Sequence, residues 1–121
     1  MPLKITINGR KLEAEQGETI LATATRAGFE IPTLCNQPEL RPFASCFMCV
    51  VEVAGAPRLV PSCATLATDG MIVETDSPRV HASRKACVEL LLSDHVGDCR
   101  GPCQVECPAG IDIPGFISLP R

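Results

Sequence analysis

Alternation of apolar and polar positions opens the chain. In residues 3–7, LKITI, β-branched residues alternate with their neighbours, and Asn8-Gly9 follows, a strong signal for a tight hairpin turn. The pattern predicts a strand, a turn and a second strand over 10–14. The period then lengthens. Ile20, Leu21, Ala24 and Ala27 recur at helical spacing, and Gly28 stands where helix C-termini favour glycine. A helix over 18–27, packed on the hairpin, is expected.

From Glu30 to Phe47 the periodicity is lost, and Pro32, Pro38 and Pro42 exclude long regular structure. Residues 50–53 (VVEV), 58–61 and 71–75 (MIVET) read as further strands, with Gly55 in the turn after the first. Ser77-Pro78 marks a helix start, Ser77 as N-cap and Pro78 in the first helical position. Val80, Cys87 and Leu91, with Ala86 and Leu90 beside them, are expected to form its apolar face as far as Ser93. The fold class expected is α+β, a small mixed sheet with a helix across it in the β-grasp arrangement. The expected division is a sheet domain over 1–77, a connecting helix over 78–94 and a Cys-rich segment over 95–121. That last segment has too little apolar content to fold alone.

Composition narrows the function. The chain of 121 residues has four Phe and no Tyr or Trp, so its core must come from Val, Ile, Leu and Ala. Its net charge of −3 is interspersed, with no basic stripe for nucleic acid and no polybasic segment for a membrane surface. No apolar run approaches the roughly 18 residues of a membrane span. The start, MPLKITING, lacks the apolar stretch of a signal peptide, which points to a cytoplasmic location. Eight cysteines in a reducing compartment point to metal or cluster binding rather than disulfides. A secreted, disulfide-stapled domain is the opposing reading.

The first constellation is Cys35-x10-Cys46-x2-Cys49-x13-Cys63. The Cys-x2-Cys step lets two thiolates reach one metal centre, and the outlying cysteines close the coordination from loops before and after. Four thiolates complete the ligand set of a 2Fe–2S cluster. Structural zinc is the alternative, but four-cysteine zinc sites usually carry two close pairs, whereas here Cys46 and Cys49 make one and Cys35 and Cys63 stand alone. Backbone N–H groups around Ala44, Ser45, Phe47 and Met48 are the expected donors to sulfur. Phe43, Phe47 and Met48 either shield a cluster from water or pack the loop.

Cys35 with CFMCVVEVAG (46–55), PSCAT (61–65), GMIVET (70–75) and ELLLSDH (89–95) carries a family resemblance. Residues 3–95 resemble the 2Fe–2S ferredoxin domain at the N-terminus of the large peripheral subunit of respiratory complex I. The same domain occurs in iron-only hydrogenases and NAD-dependent formate dehydrogenases. The resemblance implies a β-grasp fold, Cys35, Cys46, Cys49 and Cys63 as cluster ligands, and a place in a chain of redox centres.

The second constellation is His95-x3-Cys99-x3-Cys103-x3-Cys107-Pro108. In the same family a His-x3-Cys-x2-Cys-x5-Cys run follows the long helix and binds a 4Fe–4S cluster. His95 and Cys99 match it, whereas the family's last two cysteines fall on Pro102 and Pro108. The tail PCQVECPAGIDIPGFI (102–117) resembles the cluster-binding N-terminal region of the glutamate synthase small subunit and of dihydropyrimidine dehydrogenase, which implies a cluster site completed elsewhere. Either His95, Cys99, Cys103 and Cys107 hold one 4Fe–4S cluster, or the three cysteines serve a shared one. Cys87 reads as a small hydrophobe in the helix and His81 as solvated.

No GxGxxG or Walker pattern is present, so flavin and NAD(P) are expected on partner subunits or on a downstream domain. The expected function is electron transfer within a larger flavin- or NAD(P)-linked oxidoreductase of formate dehydrogenase, hydrogenase or transhydrogenase type. Other iron–sulfur subunits are expected partners, and no substrate-binding active site is expected in this chain. A freestanding soluble ferredoxin and a zinc-binding interaction module are the alternatives.

Overall fold

The computed structural model describes residues 2–95 and 100–119, so Cys99 lies outside the described residues. The chain divides into two compact units, residues 1–91 and 92–121.

The first unit begins with the expected hairpin. Strand β1 (Leu3–Ile7) pairs antiparallel with β2 (Arg10–Ala14), Ile5 opposite Leu12. Asn8 and Gly9 have φ of 49° and 79°, the left-handed pair that a two-residue turn needs to match strand twist. The Asn8 side chain then bonds across the sheet. It donates to Thr75 Oγ1 at 2.7 Å and accepts from the Thr75 N–H at 2.9 Å.

Helix α1 (Ile20–Arg26) lies within the expected span of 18–27, with Thr19 and Ala27 as its caps. Thr19 Oγ1 accepts from the Ala22 N–H at 3.2 Å. Gly28, at φ 85°, turns the chain so that the Phe29 N–H reaches the Ala24 carbonyl at 2.9 Å. Strands β3 (Val50–Val53), β4 (Val60–Pro61) and β5 (Ile72–Glu74) complete a sheet in the order β2-β1-β5-β3-β4. β1 and β5 run parallel, with Thr6 opposite Ile72, and the other pairs are antiparallel. This is the mixed sheet and helix of a ferredoxin-like α+β fold.

Ile5, Ile7, Ile20, Val51 and Val73 are fully buried together. Each contributes about 1.5–3 kcal/mol through removal of its side chain from water. Cys49 and Cys63 belong to the same cluster. The core therefore runs directly into half of the first cysteine constellation.

Helix α2 (Pro78–Asp94) starts as expected, with Ser77 Oγ accepting from the Val80 N–H at 3.3 Å. Its expected apolar face does not form. Val80 is buried, Cys87 is half-buried, and Leu90 and Leu91 are 70% and 52% exposed. The reason is visible in the stripe itself. Arg84 occupies the position one turn after Val80, and polar groups attach the helix in place of an apolar seam. Ser77 Oγ donates to Glu52 Oε2 at 2.7 Å. Arg79 reaches Glu52 Oε1 at 3.4 Å and the Pro57 carbonyl at 2.9 Å. Arg84 donates to the carbonyls of Met48 and Val50 at 2.9 and 3.0 Å. His81, exposed as expected, pairs with Asp76 at 2.7 Å. Among the described residues no helix is long and apolar enough to cross a membrane.

The second unit contains two short helices, α3 (Pro102–Val105) and α4 (Ile113–Ile117). Asp112 caps α4, accepting from the Gly115 N–H at 3.1 Å. Neither helix buries a residue.

Candidate metal centre

Three segments carry the first four cysteines. Cys63 lies in the turn after β4, which is closed by Thr65 Oγ1 donating to the Pro61 carbonyl at 2.7 Å. The first amides of a helix have no partner inside it. Here the Ile20 and Leu21 N–H groups of α1 take the carbonyls of Thr65 and Ser62 at 2.9 and 3.0 Å. The helix end thus grips the turn that carries Cys63.

Cys49 immediately precedes β3. Its carbonyl accepts two bonds from the buried Ser62, 3.1 Å from the N–H and 2.7 Å from Oγ. These bonds tie the Cys49 and Cys63 segments to each other. Both thiols are 2% exposed.

Cys35 and Cys46 lie in the irregular loop and are half-buried. Ala44 and Phe47 there adopt φ of 51° and 54°, a conformation costing L-residues about 1–2 kcal/mol each. That backbone aims N–H groups at sulfur. The Ser45 and Cys46 amides and the Ser45 hydroxyl donate to Cys35 Sγ. The Ala44 amide donates to Cys63 Sγ, and the Met48 amide lies 3.4 Å from Cys46 Sγ. The expected donors Ala44, Ser45 and Met48 are found in place. The Cys46 amide, a donor that the spacing did not suggest, takes the role expected of Phe47. Phe43 and Phe47 are 72% and 46% exposed, and Met48 is half-buried.

Cys35 has Cys46 beside it, and Cys63 has Cys49 beside it. Hydrogen bonds from the Cys46 and Ser45 segment pull the Cys35 thiol down to about 6, into the thiolate form that ligates metal. Burial, with the neighbouring Cys49 and Cys35, pushes Cys63 up to about 11. Cys63 also feels the charge of Cys35, so the two pairs share one neighbourhood. Among the described residues no three His, Cys, Asp or Glu side chains converge as one metal ion requires. All seven described cysteines are free thiols.

The second constellation is not assembled among the described residues. Cys103 is exposed, Cys107 is half-buried and His95 lies exposed just after α2, with no three-ligand grouping. Cys107 alone has local support. Amides of Ile111, Ala109 and Gly110 hydrogen-bond its sulfur and lower its pKa. Ser62 and Arg84, which anchor the backbone on either side of Cys49, had no motif to betray them. A charge inside the apolar stripe of α2 was the available sign of Arg84.

Residues 1–78 match the family described as 2Fe-2S iron-sulfur cluster binding domain. A subunit of the NADH-quinone oxidoreductase of Rhizobium meliloti is 45% identical over 109 residues, covering 86% of this chain and 13% of that protein. The HndD subunit of the NADP-reducing hydrogenase of Solidesulfovibrio fructosivorans is 46% identical over 114 residues, covering 86% of this chain and 20% of that protein. A crystal structure of NAD+-reducing [NiFe]-hydrogenase in the H2-reduced state superposes with a TM-score of 0.72 at 33% identity, covering 82% of this chain and 42% of that one. The chain thus spans a fifth or less of the length of these two curated relatives. With its fold, its paired thiols and a match over most of its length, this chain belongs to the family of 2Fe–2S iron–sulfur cluster binding domains.

Proposed function

We propose that this chain is an electron-relay domain in which Cys35, Cys46, Cys49 and Cys63 hold the 2Fe–2S cluster. The observation that carries the assignment is the pairing of these four thiols under backbone amides from one strained loop. A 2Fe–2S cluster, when bound, takes up and gives back a single electron at a potential set by burial and hydrogen bonds to sulfur. The residues supply both controls. Cys49 and Cys63 face the apolar core, while Cys35 and Cys46 face the loop side with most of the N–H donors. That half-buried edge is the short path for an electron to or from a redox centre on a partner.

The partners we propose are flavin- and NAD(P)-binding subunits and other iron–sulfur subunits of a larger oxidoreductase in the cytoplasm. Relatives described as an NADH-quinone oxidoreductase subunit and an NADP-reducing hydrogenase subunit support this reading. The test is an anaerobic reductive titration of the purified chain. Reversible bleaching of the visible bands by about one electron per 2Fe–2S cluster is expected. Colourless protein, or bleaching with loss of iron, contradicts the relay.

A second cluster, of 4Fe–4S type, is proposed for the tail, with Cys99, Cys103 and Cys107 as ligands and His95 as the fourth. The amides gathered on Cys107 favour this reading. About six irons per chain, against two from the first site alone, are expected.

A further inference from the structure

Arg84 makes contacts that neither the ligand set nor the sheet requires. Its guanidinium comes from α2 to the junction of the loop and β3, spanning 36 residues to the Met48 carbonyl and 34 to the Val50 carbonyl. Those two groups flank Cys49. The carbonyl between them, that of Cys49 itself, is held by Ser62. Three consecutive carbonyls are therefore fixed from two directions, which holds the backbone that carries Cys49.

The contact has an electrical side as well. A carbonyl that accepts from a cation polarises its whole peptide unit, and the N–H at the other end of the Met48 carbonyl's unit belongs to Cys49. The guanidinium itself is part-buried and charged at any working pH. Burial lowers its pKa, while Asp76 and Cys49 act in the opposite sense. A fixed positive charge beside a redox centre stabilises the state with the extra electron.

We propose that Arg84 is a positioning residue of the cluster site, whose clamp on the Met48 and Val50 carbonyls fixes Cys49 and whose charge raises the reduction potential. This rests on the ligand assignment above. It extends that assignment to a residue outside the loop, on a helix that reaches the site through hydrogen bonds.

The test compares the full wild-type chain with R84Q, R84K and R79Q. R79Q removes the other arginine attachment of α2, to Glu52 and Pro57, and leaves the Cys49 backbone alone. Each protein is assayed for iron and sulfide, titrated for midpoint potential by EPR, and timed for cluster loss to a chelator. R84Q should have a lower potential, with a reduced-to-oxidised ratio at fixed potential down by about tenfold, equivalent to about 59 mV. R84K keeps the charge but loses the planar fork whose two nitrogens reach the two carbonyls. It should hold a near wild-type potential yet lose its cluster several-fold faster. R79Q should match wild type in both. Equal potentials in R84Q and wild type, or equal shifts in R84Q and R79Q, overturn the electrostatic role. A wild-type rate of cluster loss in R84K overturns the clamp and decides that point even where R84Q takes up no cluster. A wild-type chain without iron and sulfide overturns the ligand assignment and this inference together. A loaded wild type indistinguishable from its Arg84 variants overturns this inference alone.

Discussion

The two cysteine-bearing regions differ in what holds them. Around Cys35, Cys46, Cys49 and Cys63, a five-stranded sheet and a capped helix fix the backbone, and two of the thiols are part of the apolar core. Around Cys103 and Cys107, two short helices bury nothing. Cysteine spacing alone does not separate these situations, since both regions carry closely spaced thiols. A site that is preformed costs little further ordering when it binds, whereas a segment without a core must be organised by what it binds. In the first region the fold itself orders the backbone that carries the thiols. The tail has one prepared sulfur, that of Cys107, under its three amides.

The sharpest way to break this contrast is to remove ligands one at a time. Cys49→Ser or Cys63→Ser should abolish the 2Fe–2S EPR signal and its two irons, because a buried ligand cannot be replaced from solvent. Cys103→Ser and Cys107→Ser should leave that signal intact and lower total iron by about four. A 2Fe–2S signal that vanishes in the tail variants would show that the regions are not independent.

A smaller effect tests the scaffold itself. Ser62→Ala deletes one buried bond to the Cys49 carbonyl while keeping the backbone one. It should cost about 1 kcal/mol, the usual net worth of such a bond. For a unit of this size, that is a fall in Tm of about 4–8 °C. An unchanged melting curve would mean that the Ser62 hydroxyl does not help to hold Cys49.

The smallest expected effect concerns an ion pair at the edge of the first unit. Glu18 meets Arg26 at 2.8 Å, and this partnership holds its carboxyl at about 2 instead of 4.5. A carboxylate whose pKa is depressed on folding stabilises the fold above its unfolded value. The contribution is therefore complete above pH 4.5 and is lost as pH falls towards about 2. Arg26 is 55% exposed, so solvent screening limits the effect to about 1 kcal/mol or less. The stability difference between wild type and Glu18→Gln should shrink between pH 6 and pH 3 in denaturant titrations. A constant difference would contradict it.

Local signals in the sequence were enough for much of the fold. Asn8-Gly9 dictates its turn, Gly28 ends α1, and Ser77-Pro78 start α2, because each acts over a few residues. The strands at 58–61 and 71–75 came out shorter, as Val60–Pro61 and Ile72–Glu74. Pairing partners, absent from the local pattern, decide how far a strand runs. The cysteine spacing pointed to the first site, but its support was hidden. Ser62 and Arg84 act on backbone carbonyls far along the chain, and such bonds leave no periodicity behind. Arg84 also explains why the face drawn through Val80, Cys87 and Leu91 failed. A charged side chain stood in that stripe with a polar destination.

The most direct test of the central claim is an anaerobic iron and sulfide assay of the intact chain, read with EPR of the dithionite-reduced sample. At least about two irons and two sulfides per chain are predicted, with a 2Fe–2S signal that disappears when any one of Cys35, Cys46, Cys49 or Cys63 is changed to Ser. Zinc without sulfide, or a 2Fe–2S signal that survives all four substitutions, would contradict the assignment.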